Sequence, residues 1–258
     1  MTSESILPLQ LEEVNFEYRH KRLIKDFSCS FEQGLRTIVI GPNGAGKSLL
    51  LRLCHGLLQP TSGQVLWQGG TGADVARHQG MVFQRPVMLR RSARSNVDYA
   101  LSVRGVPRQT RNTIIDEVLQ RTGLSRFAGA PARQLSFGEQ QRLALARVWA
   151  LQPQILFLDE PTASLDPPAT YLVEEILKAI HDAGTRIVMT THDLGQARRL
   201  ADDVMFLHRG RLLEHAPAAQ FFEEPQNDLA QAFVRGELLW WHRKHPLHKP
   251  GQEEEFAE

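Results

Sequence analysis

"RTIVIGPNGAGKSLLLRLCHGLL", Arg36 to Leu58, runs from a short apolar strand through a glycine-rich turn into an apolar-periodic helix. The turn Gly41-Pro42-Asn43-Gly44-Ala45-Gly46-Lys47-Ser48 fits G-x-x-x-x-G-K-[ST]. Its glycines let backbone N–H groups converge on phosphate oxygens, and the helix behind it adds the positive end of its dipole. These eight positions are therefore candidate nucleotide contacts. Lys47 is placed to reach the β- and γ-phosphates, and Ser48 to offer its hydroxyl to Mg²⁺.

The flanking sequence supplies matching chemistry. "ILFLDE" places Asp159 and Glu160 at the carboxyl end of a buried strand, where open α/β sheets bind ligands. Asp159 is the candidate to hold the magnesium through its water, and Glu160 to polarise an attacking water as general base. His192 ends a second buried strand, "TRIVMTTH" (185–192), and should face the γ-phosphate edge. Gln84 follows the apolar run of "MVFQRP" and can reach the metal or the water. Tyr18, in an aromatic-rich strand ahead of the loop, is the candidate to stack on a base. The chain lacks an Asn-Lys-x-Asp segment, so adenine is favoured over guanine.

Strands are expected at 11–18, 27–34, 36–40, 63–69, 154–160 and 185–192, with a hairpin at 204–214. A basic turn, "RHKR" (19–22), separates the first two. Helices are expected at 47–58, 94–105, 111–124, 139–151 and 166–184, the last capped by Asp166, with Pro167 just inside and Gly184 just beyond its end. Strands alternating with helices imply a mainly parallel sheet with crossover helices.

Bulk properties narrow the function classes. The 258 residues suffice for one large or two small domains. A net charge of +1 argues against a broad basic face for nucleic acid. The two cysteines, Cys29 and Cys54, sit among apolar neighbours and read as buried thiols of a reducing compartment. The start "MTSESILPLQLEE" has no basic, apolar leader pattern, and no run of eighteen apolar residues occurs, so a membrane role is expected to come through a partner.

A second turn opens another helix. Ser136-Phe137-Gly138-Glu139 satisfies the S-x-x-E capping box. The box does not account for Gly138, because glycine in a first turn weakens a helix.

Together Gly41–Ser48, Gln84, Leu135–Gln140, Ile155–Glu160, Ser164–Asp166 and His192 resemble the ordered motifs of the ATP-binding cassette (ABC) ATPases, over about residues 9–235. The resemblance implies a P-loop NTPase (RecA-like) α/β core with an antiparallel β-subdomain and a helical subdomain inserted at about 86–150. The ATPase domain would span 1–235 and a tail 236–258. It implies ATP and Mg²⁺ as ligands, with Glu160, His192 and Gln84 catalytic and Ser48, Gln84 and Asp159 around the metal. It further implies a head-to-tail homodimer in which Ser136, Gly138 and Asp166 of one chain meet the ATP on the phosphate loop of the other. That arrangement would explain two phosphate-binding turns in one chain. The family's commonest signature is Leu-Ser-Gly-Gly-Gln; Phe137 and Glu139 depart from it here.

The compact insert resembles the bacterial importer type. Such a subunit sits on the cytoplasmic side of the inner membrane, bound to transmembrane permease subunits and served indirectly by a solute-binding protein. "MVFQRPVMLRRSARSNVDYAL" is similar to ATPases of oxyanion importers, tungstate first, with molybdate and phosphate as neighbours. The permease is expected to dock around Arg85 to Arg94. Two other readings stand beside this one, a soluble ABC-type switch not attached to a transporter and a stand-alone phosphotransferase. The tail, with "WWHRKH", admits a membrane-surface contact, a histidine metal site or a simple extension.

Overall fold

The computed structural model describes residues 5–68, 70 and 72–237. Two sheets organise them. A small antiparallel sheet has β1 (Leu9–Tyr18) at its centre, between β2 (Lys21–Phe31) and β4 (Ser62–Trp67). The main sheet has six strands in the order β5 (Gln79–Val82), β6 (Ile155–Asp159), β7 (Arg186–Thr190), β3 (Arg36–Ile40), β8 (Asp203–His208), β9 (Arg211–Pro217). All its pairings are parallel except the β8–β9 hairpin.

Both faces of the main sheet are covered, which is why its strands read as unbroken apolar runs rather than alternating ones. Alternate residues of β3 and β6 go to opposite sides. Val39, Ile155 and Phe157 join the antiparallel sheet and α1 (Lys47–Cys54) in one core. Ile38, Ile40, Leu156 and Leu158 join the helices of the other face. Those helices are α3 (Ala93–Val103), α4 (Arg108–Arg121) and α5 (Phe137–Trp149), together with α6 (Pro167–Asp182) and α7 (Leu194–Leu200). The first three lie between β5 and β6 in the chain. Short helices α2 (Ala73–Arg77), α8 (Ala218–Glu223) and α9 (Asp228–Val234) complete the set. Among the described residues no helix is long and apolar enough to cross a membrane.

Several boundaries differ from expectation for local reasons. The first turn is only Arg19 and His20, both at positive φ (49° and 60°), so Lys21 and Arg22 are strand residues paired with Tyr18 and Glu17. Two residues at positive φ match the right-handed twist of a tight hairpin. The helix α1 stops at Cys54, and Gly56 follows at φ 80°. The helix α4 starts three residues earlier than expected, directly after Pro107. The helix α6 follows the sequence closely: Asp166 Oδ1 accepts Ala169 N–H at 2.9 Å, Pro167 opens the helix, and Gly184 lies beyond its end at φ 98°. At the base of the sheet Arg36 grips Asp202 through three contacts, N–Oδ2 2.7 Å, Nε–Oδ2 3.0 Å and Nη2–Oδ1 2.7 Å. The tail readings fall on residues 238–258, outside the described residues.

Candidate functional site

The strand β3 delivers the glycine-rich turn to the carboxyl edge of the main sheet. Gly41 has φ 148°, and a Cβ there would stand 2.1 Å from the Leu207 carbonyl oxygen, so only glycine fits. The loop is braced from outside as well. Gly210 N–H donates to the Ala45 carbonyl at 2.9 Å, and Lys25 N–H to the Gly210 carbonyl at 2.8 Å. Lys47 is buried under the loop, its Nζ donating to the carbonyls of Gly41 (2.9 Å) and Pro42 (3.4 Å). Burial lowers its pKa, while the Glu160 and Asp159 carboxylates oppose that shift.

Strand register puts the carboxylates beside the loop. Asp159 pairs with Thr190 on β7, and Thr190 pairs with Val39 on β3, two residues before Gly41. Ser48 Oγ donates to Asp159 Oδ1 at 2.8 Å, and Thr190 Oγ1 donates to the same oxygen at 3.0 Å. Thr190 Oγ1 also accepts Glu160 N–H at 3.0 Å. Glu160 takes φ 44°, an uncommon left-handed conformation for a glutamate, of the kind that clusters at functional sites. Its Oε1 stands 4.0 Å from Lys47 Nζ and its Oε2 3.0 Å from His192 Nδ1. His192 is 56% exposed, so the pair opens to solvent beside a cavity of about 450 Å³ lined by Glu160, Thr162, Leu165, Tyr171, His192 and Arg199.

Lys47, Ser48, Asp159, Glu160 and His192 thus share one locus. Gln84 lies two residues past Val82, which pairs with Leu158, so it sits at the same sheet edge with an exposed side chain. Tyr18 ends β1 and is 57% exposed, with the Arg19 guanidinium 5.3 Å from its ring centre.

The second turn forms its own cluster. The capping box is complete, with Ser136 capping α5 and Glu139 capping back. Gly138 has a packing reason that the sequence did not show: a Cβ there would meet Ala169 Cβ at 3.2 Å and Leu165 Cδ2 at 3.6 Å. The amino ends of α5 and α6, and with them Ser136, Gly138 and Asp166, therefore lie side by side. Two adjacent helix amino ends favour an anion.

Four residues that the sequence did not single out matter here. Thr190 was visible only as a polar residue in an apolar strand. Arg133 Nε donates to the Met88 carbonyl at 3.1 Å and Arg147 Nη1 to the Val87 carbonyl at 2.9 Å, tying the turn before α5 and the far end of α5 to the loop expected to dock a partner. The buried Asn96 amide holds the same loop, accepting Leu89 N–H at 3.0 Å and donating to the Ser92 carbonyl at 2.9 Å.

Residues 24–163 match the profile of the family described as ABC transporter. The chain belongs to the ABC transporter family. This ABC ATPase is 35% identical, over 84% of its own length and 83% of the relative's, to Phosphate import ATP-binding protein PstB 2 of Natronomonas pharaonis. It is 40% identical, over 72% of its length and 88% of the relative's, to Tungstate uptake system ATP-binding protein TupC of Peptoclostridium acidaminophilum. Other relatives are named for methionine import and glutamine transport. Among solved structures, cbiO1 from Clostridium perfringens, titled part of the ABC transporter complex cbiONQ, superposes with TM-score 0.76 at 28% identity, covering 88% of this chain and 94% of that one. The chain is an ATP-binding and ATP-hydrolysing subunit of the ABC type. Its fold is the α/β P-loop NTPase fold of such subunits.

Proposed function

We propose that this ABC ATPase powers a bacterial importer, working as a homodimer on the cytoplasmic side of the membrane beneath permease subunits. A solute-binding protein would deliver an oxyanion to that permease, tungstate in the first instance, with molybdate and phosphate as the next candidates. The observation that carries the catalytic part is the position of Glu160, with its carboxylate between Lys47 and His192 at the mouth of the phosphate loop.

In this reading Gly41 to Ser48 hold the polyphosphate, and Lys47 leaves its carbonyl partners for the β- and γ-phosphate oxygens. Glu160 takes a proton from the attacking water, whose oxygen bonds to the γ-phosphorus as the bond to the β-γ bridging oxygen breaks, giving ADP and phosphate. His192 orients the Glu160 carboxylate and faces the leaving phosphoryl group. Ser48 and Asp159 offer hard oxygen ligands 2.8 Å apart, a donor set suited to Mg²⁺, with Gln84 at the adjoining strand end. When bound, Mg²⁺ would offset the charge developing on the phosphate oxygens. Tyr18 stacks on the adenine.

The paired amino ends of α5 and α6 support the shared-site part of the reading. Ser136, Gly138 and Asp166 would meet the γ-phosphate held by the other subunit, and its loss on hydrolysis would open the dimer. Mixing Lys47→Ala with Ser136→Ala protein is the test. At limiting ATP, one competent site per mixed dimer should turn over faster than either variant alone; a mixture no faster than its components counts against the shared site.

The oxyanion proposal leans on the tungstate relative and on the Gln84–Leu101 stretch. The phosphate, methionine and glutamine names among the relatives make the solute the least constrained part. Reconstitution with the neighbouring permease and binding protein decides it: tungstate should stimulate ATP turnover, and stimulation by an amino acid instead would replace the oxyanion reading.

A further inference from the structure

Glu139 makes a contact at the second turn that the capping box does not require. A capping box needs the serine oxygen to accept the N3 N–H, and the N3 carboxylate to accept the serine N–H. Both are present: Glu139 N–H reaches Ser136 Oγ at 3.4 Å, and Ser136 N–H reaches Glu139 Oε2 at 2.9 Å. In addition, Ser136 Oγ lies 2.8 Å from the same Oε2. An ionised carboxylate only accepts, so the serine proton points at Glu139.

A hydroxyl has a single proton to give. While Glu139 holds it, Ser136 offers an incoming phosphate only lone pairs, with a carboxylate beside them. The nearby cation acts on Glu139 through charge alone: Arg142 Nη1 donates to the carbonyls of Thr122 (2.8 Å) and Gly123 (3.1 Å). Turning the hydroxyl away would break one bond and leave the helix capped, because Glu139 keeps the Ser136 N–H. Ser136 is exposed and free to make that turn.

We propose that Glu139 is a positioning residue that withholds the Ser136 hydroxyl, so that only the γ-phosphate of an ATP on the facing subunit draws it out. The inference rests on the proposed role of Ser136 at the shared site. It turns a departure from the commonest family signature into a threshold: this chain demands more ATP before it clamps than it would with a neutral residue at position 139.

Glu139→Gln separates the two functions of the side chain. Glutamine also serves at the N3 position of a capping box. It is a neutral acceptor, and charge-assisted hydrogen bonds are roughly twice as strong as neutral ones. The half-saturating ATP concentration for turnover should therefore fall roughly five- to tenfold in E139Q, with the effect on half-saturation rather than on the saturated rate. The melting temperature should stay put, which confirms that the cap survives. Ser136→Ala should raise half-saturation, and E139Q added to Ser136→Ala should bring no further gain. An E139Q half-saturation equal to or above wild type, with Ser136→Ala impaired, overturns the withholding role and leaves the shared site standing. A gain from E139Q that persists in full without the Ser136 hydroxyl also overturns it. Unchanged behaviour of Ser136→Ala overturns the reading of Ser136 itself.

Discussion

Thr190 Oγ1 donates to Asp159 Oδ1 at 3.0 Å across neighbouring strands, and its lone pairs hold the Glu160 N–H at 3.0 Å. One buried hydroxyl thus holds the Asp159 carboxylate and the Glu160 backbone. Thr190→Val keeps the shape and removes the hydroxyl, leaving the Glu160 N–H without its partner and Asp159 Oδ1 with the Ser48 hydroxyl alone. Turnover should fall by roughly tenfold, and Thr190→Ser should recover most of it. Steady-state phosphate release checks both; full activity in the valine variant would make the hydroxyl dispensable.

Glu160→Gln keeps the size and the contact with His192 but cannot take a proton. ATP binding should persist while turnover drops by roughly 10²- to 10⁴-fold, the range of a general base. Equilibrium nucleotide binding and phosphate release measured on one preparation separate the two quantities. Fast hydrolysis by the variant would remove Glu160 as the base.

Lys47→Ala removes the only ammonium buried beneath the loop among the described residues. Nucleotide affinity should fall by about one to two orders of magnitude, as expected for loss of a charge-assisted contact to phosphate. Calorimetric titration with a non-hydrolysable ATP analogue reads this directly, and an unaltered Kd would contradict the loop assignment.

Acid stability has a defined contributor in Asp202. Burial alone would raise its pKa, but hydrogen bonds and charge from Arg36 hold the carboxyl below the ordinary value. A depressed folded pKa gives stability that is present above the unfolded value, near 3.9, and lost as pH falls through the folded one. Asp202→Asn should therefore lower the urea midpoint at neutral pH and narrow its gap from wild type below about pH 4. A constant gap across pH 3–7 would show that the pair contributes nothing through ionisation.

The phosphate loop, the strand-end carboxylates and the α6 caps were legible because each rests on local residue chemistry at fixed spacing. Thr190 was not, since its meaning comes from parallel register with β6, a partner about thirty residues away in the chain. Arg133, in the turn before α5, and Arg147, on α5, were hidden for the same reason: their partners, the carbonyls of Met88 and Val87, lie far away in the chain. Gly138 stood out in the sequence as a glycine the capping box does not explain, and its close approach to Ala169 in the same chain, where a Cβ would stand 3.2 Å from Ala169 Cβ, favours the missing side chain on packing grounds. The turn expected at 19–22 is present but tighter, Arg19 and His20 alone, because Lys21 and Arg22 pair across with Tyr18 and Glu17.

Leu207 and Gly210 lie more than forty residues beyond Ala163, where the family match ends, yet they press on Gly41 and Ala45 from below. A fragment cut at Ala163 would retain nearly every recognisable motif and lose the floor on which the phosphate cradle stands. Shortening this chain from its carboxyl side should therefore disarm nucleotide capture well before any residue that touches the nucleotide has been removed.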